Sequence, residues 1–266
     1  MSETKYFLYN LNDVGIEWFL SCNKNVDDIA YSPYLQFRCS NYVDPWQDKS
    51  SHYHSKSQEI FILLDGELWM MLNGEPFTMI KNNLLLVQPG VPHIIIGGRP
   101  KIRHFVLKVP HQEDEWIQFN ENVNYNTIKV KMAENHYKSD IDILTGFSAD
   151  LNDKKFQNNW LLGYGEAIYK TPHLCLAYMD LKSEQKYNEM NHIETYHYHE
   201  ESTEWYFTIK GQQEFLIDNK EISINPGYLL RIPEKIPHLL LSYSYPFEGI
   251  TLRTPAIPND KIILNK

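Results

Sequence analysis

The stretch HYHSKSQEIFILLDG, His52 to Gly66, returns later in the chain as HYHEESTEWYFTIKG, His197 to Gly211. In both, two histidines stand two apart, a glutamate follows five residues after the second, and a glycine seven after that. Sliding the chain on itself by 145 residues holds this register without a gap as far as Pro92-His93, which falls on Pro237-His238. Ten of the 42 aligned positions are identical, among them three histidines, the glutamate, the glycine and the proline. Self-similarity at one fixed offset decides the architecture before any single element is assigned.

The local pattern agrees with a repeat made of strands. EIFILL and EWYFTI are short, aromatic and β-branched, and each runs to a glycine, which predicts strands that end in tight turns. ELWMMLNGEPFTMI sets Asn73-Gly74 between two apolar runs, the strongest short hairpin signal, and Asp218-Asn219 is the equivalent turn. LLLVQPGVPH and LLRIPEKIPH read as strands followed by proline-bearing loops. YLQFRCSNY and HLCLAYMDL open the two halves. Each repeat is therefore a many-stranded antiparallel unit of sandwich or barrel type. The expected division is a first barrel over 1–110, a partly helical linker or covering segment over 111–171, and a second barrel over 172–266.

Composition bounds the function. The chain has 266 residues, 42% apolar and 22% charged, enough to bury a substantial core. A net charge of −9 with no basic run argues against a nucleic-acid partner. No apolar stretch is long enough to span a bilayer. The N-terminus lacks a basic region followed by an apolar run, which predicts no secretory signal and a cytoplasmic location. Cys22, Cys39 and Cys175 are odd in number and widely spaced, so they read as buried thiols rather than a disulfide framework.

The repeated donors carry the chemistry. Residues i and i+2 of a strand point to one face, so His52 and His54 project together, as do His197 and His199. Glu59 and Glu204 begin the next strand after a connection short enough to lay each carboxylate beside its pair. His93 and His238 are the fourth convergent groups. Three imidazoles and a carboxylate facing inward suit a divalent first-row metal. A single His-x-His is commonly a surface or hydrogen-bonded pair; two complete sets in one register are not explained that way. If Glu59 faces inward, so does Phe61 by alternation, and Tyr206 stands at the matching place in the second half. Arg38, Arg103, Arg231 and Arg253 lie on or beside predicted core strands, where a guanidinium facing a cavity would hold a substrate carboxylate. Arg38, Phe61 and Tyr206 are the candidate substrate-binding residues.

These motifs resemble the two sequence motifs of the cupin superfamily, and the whole chain resembles a bicupin. His-x-His-x4-Glu-x6-Gly is complete in both halves. The second motif, Gly-x5-Pro-x-Gly-x2-His, is looser: Asn82 and Gln88 replace its first Gly and its Pro in one half, and Lys235 replaces its inner Gly in the other. These departures touch turn chemistry rather than ligands. The resemblance implies an all-β protein of two tandem antiparallel jelly-roll barrels, with metal held by His52, His54, Glu59 and His93 and by His197, His199, Glu204 and His238.

Fold alone does not fix the reaction. The first expectation is a non-haem Fe(II) dioxygenase acting on a small organic acid or phenolic compound. The second is a redox-neutral isomerase, lyase or decarboxylase using Mn, Zn or Ni. The third is a non-catalytic ligand-binding bicupin. The expected partner is a small-molecule substrate, and sheet edges leave room for a homodimer.

Overall fold

The computed structural model describes residues 6–12, 17–21, 31–43, 47–112, 115–120, 123–134, 146–182 and 194–264. Strands dominate, and Tyr125–Glu134 is the single α-helix among the described residues. By contacts the chain divides into Val14–Asp153, and Met1–Asp13 together with Lys154–Lys266. Each unit is a largely antiparallel sandwich or barrel, as the repeat predicts, of the kind that the cupin resemblance implies.

The 145-residue offset reaches the ends of the strands. His93–Val109 in the first unit corresponds to His238–Tyr243 plus Phe247–Thr254 in the second, and Gln58–Leu72 to Thr203–Lys210 plus Gln213–Ile217. The two long strands of the first unit run through both faces of the barrel and join them in one nine-stranded sheet. Where the second unit breaks those strands, seven- and five-stranded sheets result.

The repeated glycine explains part of the difference. Gly66 does not end its strand as the sequence predicts. It takes φ +84° inside Gln58–Leu72, where the register shifts between Leu63 and Asp65 and again between Asp65 and Glu67. The strand thus bends at bulges and continues. Gly211 has a similar φ of +79°, but there the strand does break. Both hairpins form as expected, with left-handed φ at Asn73 and Gly74 (51° and 84°) and at Asp218 and Asn219 (47° and 65°).

Contacts divide the chain differently from the expected 1–110, 111–171 and 172–266. Phe7–Asn10 pairs antiparallel with Tyr228–Ile232, adding an edge strand to the second barrel. Much of the intervening segment is barrel wall. Trp116–Gln118 pairs with His52–His54, Gly146–Asp150 with Asn83–Val87, and Asn159–Gly163 with Cys175–Leu181. Trp116–Gln118 is exposed along its length, so no alternating pattern marks it in the sequence. The helix lies against the first barrel, with Met132 packed on Trp69, Met71, Ile94 and Ile96.

Each barrel has its own core. Phe61, Met70, Phe77 and Val106 belong to the first, and Tyr206, Phe215, Leu230 and Phe247 to the second. Every such side chain withdrawn from water contributes about 1.5–3 kcal/mol. Cys39 and Cys175 are buried and free; Cys22 lies outside the described residues.

Candidate metal centres

Strand register assembles both donor sets. His52 lies directly across from His93, and His197 from His238. His54 and His199 stand two residues along on the same face, and Glu59 and Glu204 reach them from the next strand. Within each quartet all four donor atoms lie within 4.8 Å of one another. Seven of the eight residues are buried, and His52 is partly exposed.

One carboxylate oxygen is the centre of each set. Glu59 Oε2 lies 2.6 Å from His93 Nε2, 3.3 Å from His54 Nε2 and 4.0 Å from His52 Nε2. Glu204 Oε2 lies 2.9 Å from His238, 3.2 Å from His199 and 3.8 Å from His197, again at Nε2. Burial alone would raise the Glu59 and Glu204 carboxyls, but the imidazoles around them hold both well below the usual range. Burial works against charge on His93 and His238, yet the facing carboxylate raises both.

The outer ring nitrogens show that these sets fit a cation. His93 Nδ1 donates to Val91 O at 3.0 Å, His238 Nδ1 to Ile236 O at 2.9 Å, and His197 Nδ1 to Thr195 O at 2.7 Å. A carbonyl can only accept, so the proton of a neutral ring sits on Nδ1 and the Nε2 lone pair faces the carboxylate. Lone pair against carboxylate oxygen is unfavourable unless a proton or a metal cation lies between them, and a single cation serves all three rings of a set at once. His197 Nε2 is buried with no hydrogen-bond partner, which such an ion would remedy. Donor chemistry and geometry therefore suit a divalent transition metal.

Two carboxylates that sequence reading missed stand behind the quartets. Glu115 Oε1 faces His54 Nδ1 at 3.5 Å, and Asp260 Oδ2 faces His199 Nδ1 at 3.3 Å. Glu115 also accepts the backbone N–H groups of Lys56 and Ser57; Asp260 accepts those of Glu201 and Ser202. Glu115 and Asp260 are themselves 145 residues apart, so extending the register past Pro-His would have paired them.

Each quartet borders a cavity. The first, of about 290 Å³, is lined by Arg38, Phe61, His104, Lys108 and Trp116 together with Asp48. Trp116 stacks on His52 with ring centroids 5.4 Å apart. The second, of about 580 Å³, is lined by Trp160, Tyr164, Tyr206, Tyr243 and Thr251, with Glu194 beside the cluster, 3.6 Å from His197 Nε2. Arg38, Phe61 and Tyr206 thus all line cavities. The other arginines are placed differently. Arg231 lies over the rings of Phe7 and Trp205, and Arg103 lies against Cys39. Arg253 stands across from Glu204 in the strand register and donates to Tyr164 Oη at 2.6 Å.

Comparison with known proteins agrees with this arrangement. The family model described as "Cupin domain" matches twice, at residues 42–98 and 188–243. Among solved structures, salicylate 1,2-dioxygenase from Pseudaminobacter salicylatoxidans superposes with a TM-score of 0.58 at 15% identity, over 87% of this chain and 74% of that one. Protein Ylba from E. coli gives 0.55 at 8% identity, over 94% and 90%. A cupin 2 conserved barrel domain protein from Leptotrichia buccalis gives 0.51 at 10%, over 84% and 85%. At such identities the likeness is one of fold. A search of curated proteins by sequence found no match. Among the described residues no helix is long and apolar enough to cross a membrane.

Proposed function

Because the chain is a bicupin, we propose that it is a metal-dependent enzyme, a non-haem Fe(II) dioxygenase acting on a small organic acid or phenolic compound. The observation that carries this reading is that each three-histidine, one-glutamate set contributes to a cavity wall, His52, His54 and Glu59 to the first and Glu204 to the second, with aromatic side chains among the other lining residues. His52, His54, Glu59 and His93 would hold one ion, and His197, His199, Glu204 and His238 the other. Bound iron would supply there the chemistry that joins dioxygen to substrate.

The side chains around the quartets bind and orient. Arg38 presents a guanidinium to a substrate carboxylate, and Phe61 and Tyr206 give flat apolar walls that exclude water. Tyr206 is fully enclosed; burial, with Glu194 and Glu204 nearby, pushes its hydroxyl well above the usual range, so it stays a proton donor. Glu115 and Asp260 keep the middle imidazoles oriented.

Glu194 favours a second reading. A carboxylate that faces the cluster beside the second cavity is not needed to bind dioxygen, but it could accept and return a substrate proton. That suits a redox-neutral isomerase, lyase or decarboxylase using Mn, Zn or Ni. Two measurements decide. Elemental analysis of protein purified without added metal gives the ion and its stoichiometry. Oxygen uptake with phenolic and 2-oxo acid substrates supports the dioxygenase; turnover without oxygen uptake supports the alternative. A normally folded protein that binds no metal would leave only a non-catalytic role.

A further inference from the structure

We propose that the small acid binds in the first barrel and not in the second, and that the difference rests on Arg38 standing where the second barrel has Ala177. This deepens the reading above and rests on it, since it takes the quartets to be metal centres that meet substrate.

Strand register makes the comparison direct. Arg38, Val106 and Phe61 lie side by side across three neighbouring strands of the first barrel. Ala177, Thr251 and Tyr206 do so in the second. Cross-strand partners share a face, and in each barrel that face is the cavity wall. Val106 and Thr251 are one repeat apart, as are Phe61 and Tyr206, so Arg38 and Ala177 occupy the same place. A guanidinium in one barrel stands where a methyl group stands in the other.

Size and charge both follow. The first cavity is about 290 Å³ and the second about 580 Å³. Pockets for drug-sized ligands run from about 300 to 1,000 Å³, so the first falls below that range and the second in its middle. The ionisable lining of the first is Arg38, Lys108, Asp48, Glu59 and histidines; that of the second is Lys155 with Glu166, Glu194 and Glu204. Adding a divalent ion to each leaves the first cavity positive and the second close to neutral. Lys108 lies directly across from Glu59 in the register and shares its charge with Glu115 at 3.4 Å. Tyr42 Oη accepts from Arg38 Nη2 at 2.8 Å and steadies the guanidinium. The ligand class that fits is a short dicarboxylate or 2-oxo acid. One carboxylate would lie on Arg38, with Lys108 near it, while oxygens at the other end face the quartet.

The test uses full-length protein loaded with Co(II), and malonate as the probe. Malonate should bind once per chain by calorimetry, and should alter the visible cobalt spectrum of His199→Ala but not that of His54→Ala. Arg38→Ala, with metal content verified, should bind malonate about 10- to 100-fold more weakly, the loss expected when a charge-assisted contact goes. Arg38→Lys should recover part of it. Malonate that fails to bind, that responds only in His54→Ala, or that is indifferent to Arg38→Ala in metal-replete protein overturns the proposal. The cobalt spectra of the two histidine variants need no substitution at Arg38, so they decide even if that variant misfolds. Failure of the wild type to take up cobalt would instead sink the underlying metal-enzyme reading.

Discussion

Asp260 Oδ2 lies 3.3 Å from His199 Nδ1, on the side of the ring away from Glu204. The same carboxylate receives two backbone N–H groups from the loop that joins the paired histidines to the glutamate. Ring orientation and loop shape are therefore set by one side chain. Asp260→Asn should lower metal affinity at the second centre about 10- to 100-fold, the usual cost of losing an outer partner of a ligating histidine. Stability should fall by about 1–3 kcal/mol as buried N–H groups lose a charged acceptor. Chelator competition and urea unfolding read the two effects. Unchanged metal affinity would show that Asp260 serves the loop alone.

The quartets draw their ligands from separate barrels, so each should load without the other. His54→Ala should halve the metal bound per chain and leave the second centre filled; His199→Ala should do the reverse. Elemental analysis of the two purified variants, with circular dichroism to verify folding, is sufficient. Loss of both ions in a folded His54→Ala protein would contradict two independent centres.

Backbone conformation makes a third prediction at the positions where the second motif departs from the family pattern. Lys235 stands where the motif has its inner glycine and adopts φ +62°; its N–H donates to His199 O at 2.7 Å. Gly90 makes the matching bond to His54 O, also at 2.7 Å, with φ +79°. An L-residue held in the left-handed region costs about 1–2 kcal/mol. Lys235→Gly should therefore stabilise, by about 0.5–1 kcal/mol after the extra chain entropy of glycine is offset. Gly90→Lys should destabilise by a similar amount. Gly211→Ala should cost more, because its Cβ would meet Pro246 O at 2.7 Å and Ser244 O at 2.8 Å. Thermal unfolding of the three variants should follow that order.

The same residues explain how far the sequence could be read. His52, His54, Glu59 and His93 were legible because identical residue types at identical spacing recur 145 residues later, and strand geometry converts spacing into direction. Arg38 was legible only as an arginine near a predicted strand. Its counterpart Ala177 stands 139 residues later, out of the repeat's register, and pairing it required the strand ladder. Glu115 and Asp260 kept the register but differ in type and lie beyond the last shared motif. The division into units was hidden for another reason: Phe7–Asn10 belongs to a ladder with Tyr228–Ile232, more than two hundred residues away, and no local pattern encodes that pairing.

His104, which is not among the metal ligands, gives a pH dependence set by its burial and by Arg38 and partly opposed by the Glu59 carboxylate. It is buried beside the first cavity and stacked on Tyr42, with ring centroids 5.6 Å apart. Burial, with the Arg38 charge nearby, pushes its imidazole down to about 3 from 6.5. Between those values the unfolded chain holds the proton and the folded chain does not, so acid favours unfolding. The stabilising effect of keeping this ring neutral is complete above about pH 6.5 and is lost as pH falls towards 3. The slope approaches about 1.4 kcal/mol per pH unit. Urea unfolding of wild type and His104→Phe, both in chelator, should be compared at about pH 7 and about pH 5. The phenyl ring keeps the stack but cannot titrate. Wild type should lose about 2 kcal/mol more than the variant over that interval. Equal losses in the two proteins would mean that the folded barrel accommodates a charged imidazole at this position, against both its burial and its guanidinium neighbour.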